Sequence, residues 1–553
     1  MKKQFSILSF QFSILITVLS GCSDYLDKDL KTNTNLSYEQ VFKDPHLAPG
    51  FLNDAYSGLP DGFNRTGSAL LASACDEAEH SDAGSAIRLF NSNAVSPSYN
   101  PDDVWNDMYA GIRKCNIFLK ELKGLIAESN SISETERPNY RGQALFLRAF
   151  YHFELLKRYQ NIIYVDEVID PFDEDEVFSF PQLDFQDAVK RIAADCDSAK
   201  ALLPDRITDD ARKGRASKAA PMALKARMLL YAASPLNNSG GDLTLWEKAE
   251  EAAKEVYDSR SPLGLGLESG YAGIFTTPYN NEIIFATSAD NRNDIERANF
   301  PISYQGQGLT NPSQNLADAY AMNGTYYNNP MNGYDPEHPY DRREDRFYAT
   351  ILHNAASFKG SNVETFAGGK DGLFATSTAT KTGYYMRKFL APAINLEKSE
   401  TARRPWVLFR YAEVILNYAE ARNEILDKPD KTVHDLLNLI RNRAKLRPFR
   451  NTGEYIQTQT EMREYIKKER QVELALEEHR FWDLRRWRDA ETVLNRPLKG
   501  MRIEKSGDTF NYTLFDAAQR IFDPKFYWYP IPRVEILKYK NKGITLQQNQ
   551  GWE

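Results

Sequence analysis

Cysteine and histidine are scarce in this chain of 553 residues, which contains four Cys and seven His. Beyond the N-terminal region only Cys75, Cys115 and Cys196 occur, and three widely spaced cysteines make a poor disulfide framework for so large a protein. Cys115 and Cys196 fall within helical patterns, which favours a role as small, buried, apolar residues. No cysteine has metal-ligand spacing, so no metal site is expected.

The common catalytic motifs are also missing. The sequence has no HExxH, no GxSxG and no Gly-rich loop of the kind that holds phosphate. A glycosidase needs two carboxylates on either side of the bond that it cleaves, but among 76 acidic residues close neighbours such as Glu77, Glu79 and Asp82 arise by chance. We therefore expect a protein that is not an enzyme and that carries no cofactor. The formal net charge of −7 argues against a nucleic-acid partner.

No hydrophobic run suits a membrane span, because the apolar stretch at residues 4–20 is short and is interrupted by Ser and Gln. Two lysines precede this stretch, and its end overlaps the sequence Leu-Ser-Gly-Cys at residues 19–22. Residues 1–21 are therefore predicted to be a cleaved signal peptide. The sequence around Cys22 resembles the bacterial lipobox, which implies that this cysteine is lipidated and becomes the first residue of the mature protein. The alternative is a soluble secreted protein with an incidental cysteine.

An acidic segment, SDYLDKD at residues 23–29, follows Cys22 directly. It resembles the signal that sends Bacteroidetes lipoproteins to the cell surface, although a solvated tether would have the same composition. We interpret residues 22–40 as a lipidated N-terminus and tether. Together these features predict a protein that is anchored by lipid in the outer membrane and faces the cell exterior.

Amphipathic helices predominate in the first half of the chain and return later, because apolar residues recur there every three or four positions. This spacing predicts helices at 105–119, 140–159, 184–203, 216–233, 246–257, 408–426, 432–445 and 459–489. Paired helices with one apolar stripe and short connections are typical of a stacked helical repeat, although the 34-residue signature of TPR arrays is not visible.

Gly, Asn, Pro, Thr and Tyr become common between residues 260 and 404, and helical periodicity largely disappears there. We therefore expect a helical scaffold at about 41–260 and 405–490, with loop-rich segments at about 260–404 and 490–553. No linker in the sequence would free a second domain, so residues 41–553 are predicted to form one domain.

Several longer strings carry a family resemblance. In chain order they are WNDMYAGIRKCNIFL (105–119), GQALFLRAFYHFELLKRY (142–159), GRASKAAPMALKARMLLYAAS (214–234), NEIIF (281–285), NPSQNLADAYAMNG (311–324), TGYYMRKF (382–389), RYAEVILNYAEARNE (410–424), LNLIRNRAKL (437–446), EEHRFWDLRRW (477–487), YWYPIP (527–532) and QQNQGW (547–552). Their order and spacing resemble those of the SusD/RagB family of nutrient-binding lipoproteins of Bacteroidetes, over nearly the whole mature chain.

The resemblance implies a mostly α fold, in which four TPR-like helix pairs form a scaffold and an irregular, loop-rich half packs on it. It also implies a shallow surface site for an oligosaccharide, or for a peptide in some branches, and no catalysis. The implied partner is a SusC-type TonB-dependent outer-membrane transporter. In one departure from many relatives, Gln160 rather than a Gly-x-Pro-Leu turn follows Tyr159, so this turn must close differently.

The most conspicuous strings are interpreted as framework. In EEHRFWDLRRW, apolar residues such as Phe481 and Leu484 recur every three positions and predict a buried helical face, while the Arg and Asp residues between them can pair locally. Arg410, Glu413 and Glu420 are likewise predicted to form ion pairs between helices. All seven Trp fall in or beside such strings: Trp105, Trp246, Trp406, Trp482, Trp487, Trp528 and Trp552.

A ligand site is expected on loops, where exposed Tyr or Phe rings can stack on the C–H faces of sugars while polar neighbours bind hydroxyl groups. The first candidate loop is 76–100, which the resemblance places on the ligand face, and the second is 290–305. The candidate ligand-binding residues are Asp76, Arg88, Phe90, Tyr99, Asn100, Asn291, Arg292, Phe300 and Tyr304. For any one of them, packing within its loop is the alternative role. A third loop, 355–383 with Phe366 and Phe374, ranks lower because its Gly-rich sequence favours mobility.

The sequence therefore predicts a cell-surface protein that binds a glycan oligosaccharide and delivers it to a SusC-type TonB-dependent transporter. Peptide binding by a member of the same family is the main alternative, and glycoside hydrolysis is a weaker one. The mixture of aromatic, Asn, Asp and Arg side chains in the candidate loops favours a glycan.

Overall fold

The computed structural model describes residues 38–44, 47–124, 132–170, 172–322, 324, 333–449 and 456–553. The predicted signal peptide, Cys22 and the predicted tether up to residue 37 lie outside the described residues. Within these ranges, no helix has both the length and the hydropathy that a membrane crossing requires.

Helices account for most of the regular structure. The α-helices of the described residues, numbered α1 to α19 in chain order, are Tyr38–Lys43, Leu47–Ser57, Arg88–Asn91, Trp105–Gly124, Arg137–Tyr159, Glu174–Val177, Phe185–Leu202, Ala219–Ala233, Leu243–Asp258, Arg260–Leu263, Asp294–Asn299, Gln314–Ala319, Asp345–Thr350, Tyr411–Glu424, Lys431–Arg443, Gln459–Glu473, His479–Arg486, Ala490–Leu494 and Arg533–Asn541. Short 3-10 helices span Leu71–Ala74, Asp210–Arg212, Tyr271–Phe275, Ile302–Tyr304 and Pro524–Tyr527.

The strands are mostly short and pair two by two. Numbered β1 to β14, those in the described residues are Ala78–His80, Ile162–Ile163, Gln182–Leu183, Ile283–Ala286, Asp290–Arg292, Thr310–Pro312, Ile351–Leu352, Ser357–Phe358, Ser361–Asn362, Tyr385–Met386, Ala402–Arg404, Val407–Arg410, Leu498–Ser506 and Thr509–Ala518. The antiparallel pairs are β1–β6, β2–β3, β4–β12, β5–β11, β7–β10, β8–β9 and β13–β14.

Eight long helices form the scaffold as a series of packed neighbours. Helix α4 packs on α5, α5 on α7, α7 on α8, α8 on α9 and α9 on α14, which also contacts α15 and α16. The loop-rich segment leaves this series after α9 and rejoins it at α14. Eight helices are the number that four helix pairs require, so the mostly α, TPR-like fold predicted from the sequence is confirmed.

Acidic and hydroxyl side chains set the starts of several scaffold helices. Asp184, Asp242, Asp430 and Thr458 each accept a hydrogen bond from a backbone N–H two or three residues later, at the N-termini of α7, α9, α15 and α16. Such caps satisfy N–H groups that have no partner inside the helix. These four helices start within three residues of their predicted starts, because capping and apolar periodicity depend only on residues that are close in the chain.

The predicted helix at 459–489 is two helices in the structure, because the chain turns between α16 and α17. Leu476 adopts a φ of 63°, in the left-handed region that interrupts a right-handed helix. Its N–H donates to the Glu77 carboxylate (3.2 Å), and the turn lets Glu477 accept from Arg410 (2.7 Å). The prediction of one continuous helix was wrong, since the partners that stabilise the turn come from distant parts of the chain.

Two further boundaries differ from the prediction. The helix expected from residue 408 begins at residue 411, because residues 407–410 form β12 and pair with β4. The tail from residue 490, expected to be loop-rich, contains the long hairpin β13–β14 and helix α19. The hairpin closes through Gly507, whose φ of 59° suits the tight turn.

The turn after α5 closes without the glycine that many relatives have there. Gln160 takes a φ of 62°, and its N–H donates to the Leu156 carbonyl (3.1 Å). Positive φ is uncommon for a residue with a side chain, so the surrounding contacts hold this turn in place.

Buried apolar side chains from the scaffold and from both loop-rich segments belong to one contiguous cluster. Phe150 of α5 packs against Phe409 of β12, with ring centroids 6.2 Å apart. Cys75, Cys115 and Cys196 are buried free thiols, which confirms the prediction for Cys115 and Cys196. The loop-rich half and the scaffold therefore share a hydrophobic core.

Buried charges also connect the two halves. Arg410 of β12 donates to Glu473 of α16 (2.6 Å) and to Glu282, which precedes β4 (2.8 Å). Arg410 and Lys388 both donate to Glu477 (2.7 Å each). Each of these five side chains is at most 4% exposed. Because an isolated buried charge is costly, each of these groups depends on the others.

The electrostatics of Glu473 show how strong this coupling is. Burial alone would raise the pKa of Glu473, but Arg443, Arg410 and Arg346 together hold that pKa well below its usual value. These three arginines belong to α15, β12 and α13. One carboxylate of α16 is thus the common partner of three separate elements.

Replacing Arg410 with Met should lower the free energy of unfolding by about 3–5 kcal/mol, because it leaves buried carboxylates without their counter-charge. The matched control is Lys190→Met, which removes an exposed ion pair with Asp187 and should leave the unfolding midpoint nearly unchanged. Urea denaturation followed by circular dichroism measures both variants. Equal midpoints for the two variants would contradict the role assigned to Arg410.

Stability should fall in mild acid because His152 is buried as a neutral ring. Its Nε2 accepts from the Val165 N–H (3.1 Å), and burial lowers its pKa to about 3. Below about pH 6.5 the unfolded chain binds a proton that the folded chain does not, so stability decreases as pH falls towards about 3. In His152→Gln the decline should be shallower by about 1.4 kcal/mol per pH unit, measured by urea unfolding. Identical slopes for parent and variant would exclude this origin.

Candidate functional site

The first two predicted loops meet at the two-stranded sheet β1–β6. Glu79 lies opposite Asn311 in this sheet, and just beyond it the Ser81 N–H donates to the Leu309 carbonyl (2.9 Å). The first loop continues from β1, and the second ends shortly before β6. The sheet therefore brings the bases of both loops to one place.

Arg520 fixes the base of the first loop. Its guanidinium is buried and donates to the Ala78 carbonyl (2.6 Å), to the Glu79 carboxylate (3.1 Å) and to the Cys75 carbonyl. The sequence analysis missed Arg520, because no local pattern links it to Glu79, which lies 441 positions away in the chain.

Two basic side chains are positioned by this sheet. Arg88 donates to the Glu79 carboxylate (3.2 Å) and is 45% exposed. The backbone N–H of Lys381 donates to the Asn311 side-chain oxygen (2.9 Å), and its ammonium lies 5.1 Å from the centroid of the Phe374 ring. Burial and the nearby charge of Arg88 lower the pKa of Lys381. The cross-strand pair Glu79–Asn311 thus binds the Arg88 side chain and the Lys381 backbone. Of these two residues, only Arg88 was predicted from the sequence.

Phe374 presents an exposed ring beside Lys381. Its side chain is 54% exposed, and its N–H donates to the Thr380 carbonyl (3.2 Å). Its φ of 58° is a left-handed conformation that residues with a side chain rarely adopt. Phe374 belongs to the third predicted loop, so all three loops contribute to this region.

The third loop is tied to the second by defined hydrogen bonds. Asp371 is buried and accepts from both the backbone N–H (2.9 Å) and the hydroxyl (2.8 Å) of Ser303. The Tyr304 hydroxyl lies 2.9 Å from the Ser361 hydroxyl, and the half-buried Tyr304 ring packs edge-on against Phe358. A Gly-rich sequence therefore forms a specific structure here.

Asn291 and Arg292 have partners other than those around Lys381. Asn291 is exposed on β5, opposite Arg403 of β11. Arg292 pairs with Asp294 (2.6 Å) and Asp61, and stacks on the Phe63 ring. The structure gives no contact between these two residues and the region around Lys381 within the described residues.

Three predicted residues are buried and offer no surface to a ligand. Asp76 forms a two-pronged ion pair with Arg480 (2.9 Å for each bond). Phe90 packs on Phe481 and Tyr529, and Phe300 is fully buried against Phe358. These side chains pack beneath the loops, which is the alternative role given above for each candidate residue.

Tyr99 and Asn100 occupy the end of the first loop. The Tyr99 ring is 58% exposed, and the loop is joined to α19 where the Arg533 N–H donates to the Pro97 carbonyl (2.8 Å). The Asn100 side-chain oxygen accepts from the Asp102 N–H (3.0 Å) and so stabilises the approach to α4. Tyr99 remains available for a ligand, while the Asn100 oxygen is engaged locally.

Family models match most of the chain. The model of the SusD family matches residues 273–552, and a second one, described as starch-binding associating with outer membrane, matches residues 24–230. The chain belongs to the SusD family. The resemblance noted in the sequence is therefore confirmed.

Individual SusD-like proteins agree with this assignment. The proteins P2 and P38 of Formosa agariphila are 25% and 23% identical to the chain, over 86% and 91% of its length and 89% and 95% of theirs. A SusD-like crystal structure from Bacteroides fragilis has a TM-score of 0.77 and 27% identity, covering 92% of this chain and 98% of that one. A laminarin-binding SusD-like protein has a TM-score of 0.63 at 22% identity, covering 92% and 100%, and shares the fold.

The strings that identify the SusD family are structural in this member. Phe481 and Leu484 are fully buried, and Glu413 and Glu420 pair with Arg227 and with Arg486 respectively, as predicted. Six of the seven Trp are at most 8% exposed, and Trp528 packs against the core. The aromatic rings that reach the surface at the three loops are Tyr and Phe.

A cavity of about 810 Å³ lies away from these loops, between α7, α8 and α9 of the SusD scaffold. Three of its lining lysines are paired, Lys225 with Asp197 (2.7 Å), Lys200 with Glu255 (2.8 Å) and Lys190 with Asp187 (2.6 Å). None of the candidate ligand-binding residues lines it. In the described part of the chain no three His, Cys, Asp or Glu side chains are grouped as a metal would require.

Replacing Asp371 with Ala should loosen the third loop while the scaffold stays folded, because the two hydrogen bonds from Ser303 lose their acceptor. We expect faster tryptic cleavage within 355–383, for instance after the exposed Lys370, measured by limited proteolysis and mass spectrometry. Asp210→Ala, at an exposed position in the scaffold, is the matched control. Unchanged cleavage in Asp371→Ala would contradict the role given to this carboxylate.

Proposed function

We propose that this protein is a lipid-anchored cell-surface protein that binds oligosaccharides and delivers them to a SusC-type TonB-dependent transporter. Lipid on Cys22 would hold it in the outer membrane. The observation that carries the binding role is the exposed Phe374 ring, which lies beside Lys381 where three anchored loops meet. Membership of the SusD family supports the transporter as partner.

A rigid exposed ring with polar neighbours suits a sugar. The C–H face of a pyranose can stack on Phe374, while the donors of Arg88 and Lys381 reach its hydroxyl groups. A stacked ring contributes about 0.5–1.5 kcal/mol beyond burial. Single sugars should therefore bind weakly, at about millimolar concentration, and oligomers more tightly through several contacts.

In this proposal the site binds without catalysis. Glu79, the carboxylate of the β1–β6 sheet that holds Arg88, is 4% exposed, and its two oxygens are bound by Arg88 and Arg520. A glycosidase requires two carboxyl groups that face the substrate. A buried carboxylate engaged on both oxygens supports a positioning role for Glu79.

A glycan is favoured over a peptide for two reasons. The family model that matches residues 24–230 is described as starch-binding. The exposed groups at the site are an aromatic ring and side-chain donors, whereas an extended peptide calls for backbone groups along a strand edge. The expected ligand is therefore an oligosaccharide.

Phe374→Ala should weaken oligosaccharide binding by about 2- to 10-fold, since it removes one stacking ring. The matched control is Phe172→Ala, which removes a ring that is 92% exposed on the connection between α5 and α7 and should leave the affinity unchanged. The ligands are those that the parent protein retains on an array of neutral and acidic glycans, and calorimetric titration gives the dissociation constants.

Equal affinities for the parent and Phe374→Ala would exclude this site. Retention of peptides with no retention of glycans would replace the proposal with the peptide-binding alternative. If shortened fragments of the oligosaccharide ligand accumulate during the titration, the proposal that the protein binds without catalysis is wrong.

A further inference from the structure

The cations at the site lack full counter-charge. Glu79 pairs with Arg88 (3.2 Å) and also with Arg520 (3.1 Å). Among the described residues, no carboxylate lies within salt-bridge distance of Lys381. Two arginines therefore share one carboxylate and Lys381 has none, so positive charge exceeds negative charge among these four groups. The formal net charge of the whole chain is −7.

The exposed Arg88 and the partly buried Lys381 both keep hydrogen-bond donors available. The Lys381 ammonium has three N–H donors, and one is bonded, to the Ser377 carbonyl (2.9 Å). The Arg88 guanidinium has five, of which one contacts Glu79. The remaining donors form a positively charged group that a ligand can reach, because Arg88 is nearly half exposed.

The sheet connects the segments that carry the two cations, because Glu79, which binds Arg88, lies opposite Asn311, which binds the backbone of Lys381. The charge of Arg88, together with burial, disfavours the protonated form of Lys381. Both charged groups have a bonded partner, since the Lys381 ammonium donates to the Ser377 carbonyl and the Arg88 guanidinium donates to Glu79. An anion placed between them would relieve the repulsion and gain charge-assisted hydrogen bonds.

The position of Phe374 points to the same ligand. Its left-handed φ costs free energy and persists because the loop holds it, which is typical of residues at binding sites. The ring lies directly beside the Lys381 ammonium. A ligand that places an anionic group on the cations therefore has an apolar face available next to it.

From these observations we infer that the ligand is an acidic oligosaccharide, with a carboxylate or sulfate group bound between Arg88 and Lys381 and a sugar ring stacked on Phe374. This inference rests on the proposed oligosaccharide-binding function and adds the chemical class of the ligand. Uronic acids and sulfated sugars both supply the required anion.

The test compares acidic and neutral probes by calorimetric titration. The acidic probes are trigalacturonic acid, whose only anionic groups are carboxylates, and a κ-carrageenan hexasaccharide, whose only anionic groups are sulfates. The neutral probes are maltohexaose and laminarihexaose. The parent protein should bind at least one acidic probe more tightly than either neutral one, and added salt should weaken that binding. The two acidic probes separate carboxylate from sulfate as the recognised group.

Charge variants test the residues. Lys381→Gln and Arg88→Gln should each weaken binding of the acidic probe by about tenfold or more, while neutral probes are affected little. Lys381→Arg keeps the charge and should retain most of the affinity. Lys190→Gln, on the scaffold surface, is the matched control and should bind like the parent.

The outcomes separate this inference from the proposed function. Binding of neutral probes alone, unchanged in Lys381→Gln, would overturn the acidic ligand and leave oligosaccharide binding intact. Binding of no glycan on the wider array would overturn both. Inorganic sulfate that binds as tightly as the sulfated hexasaccharide would show that the sugar ring contributes nothing, and would also overturn the inference.

Discussion

The fold depends on a group of buried charges centred on Glu473 and Glu477 at the end of α16. Their partners from the loop-rich segment and the strand that follows it are Arg346, Lys388 and Arg410, and Arg443 of α15 adds one from the scaffold. Apolar packing alone would join the two halves in many similar ways, since the hydrophobic effect has no direction. Buried ion pairs require defined partners, so they select one arrangement of the irregular half on the helices.

The same principle operates on a smaller scale at the candidate site. Arg520 and Asp371 hold the bases of the loops, and the pair Glu79–Asn311 sets the positions of the basic side chains above it. Such anchoring removes conformational freedom before a ligand arrives, which lowers the entropic cost of binding. Irregular segments can therefore present a preformed surface, provided that buried polar groups form hydrogen bonds with their backbone N–H and C=O groups.

The separation along the chain of the residues in contact determined what could be predicted from the sequence. Helices such as α7 were predicted because caps like Asp184 and apolar periodicity act within a few residues. The turn before α17 was not predicted, because Glu77, which accepts a hydrogen bond from Leu476 in this turn, lies 399 positions away in the chain. At the site, Phe90 and Phe374 are both loop phenylalanines, and only tertiary contacts separate the buried ring from the exposed one. Lys381 lies in no local motif, and its place beside Arg88 follows from the β1–β6 pairing.

The buried charge group also bears on how the chain folds as it is made. Arg346 and Lys388 come 127 and 89 positions before their partners Glu473 and Glu477, so the interior of the irregular half is not fully neutralised until those later carboxylates are in place. The N-terminal helices share part of this requirement, because Arg227 of α8 pairs with Glu413 of α14. Completion of the fold is therefore a late event, set by the synthesis of the final quarter of the polypeptide.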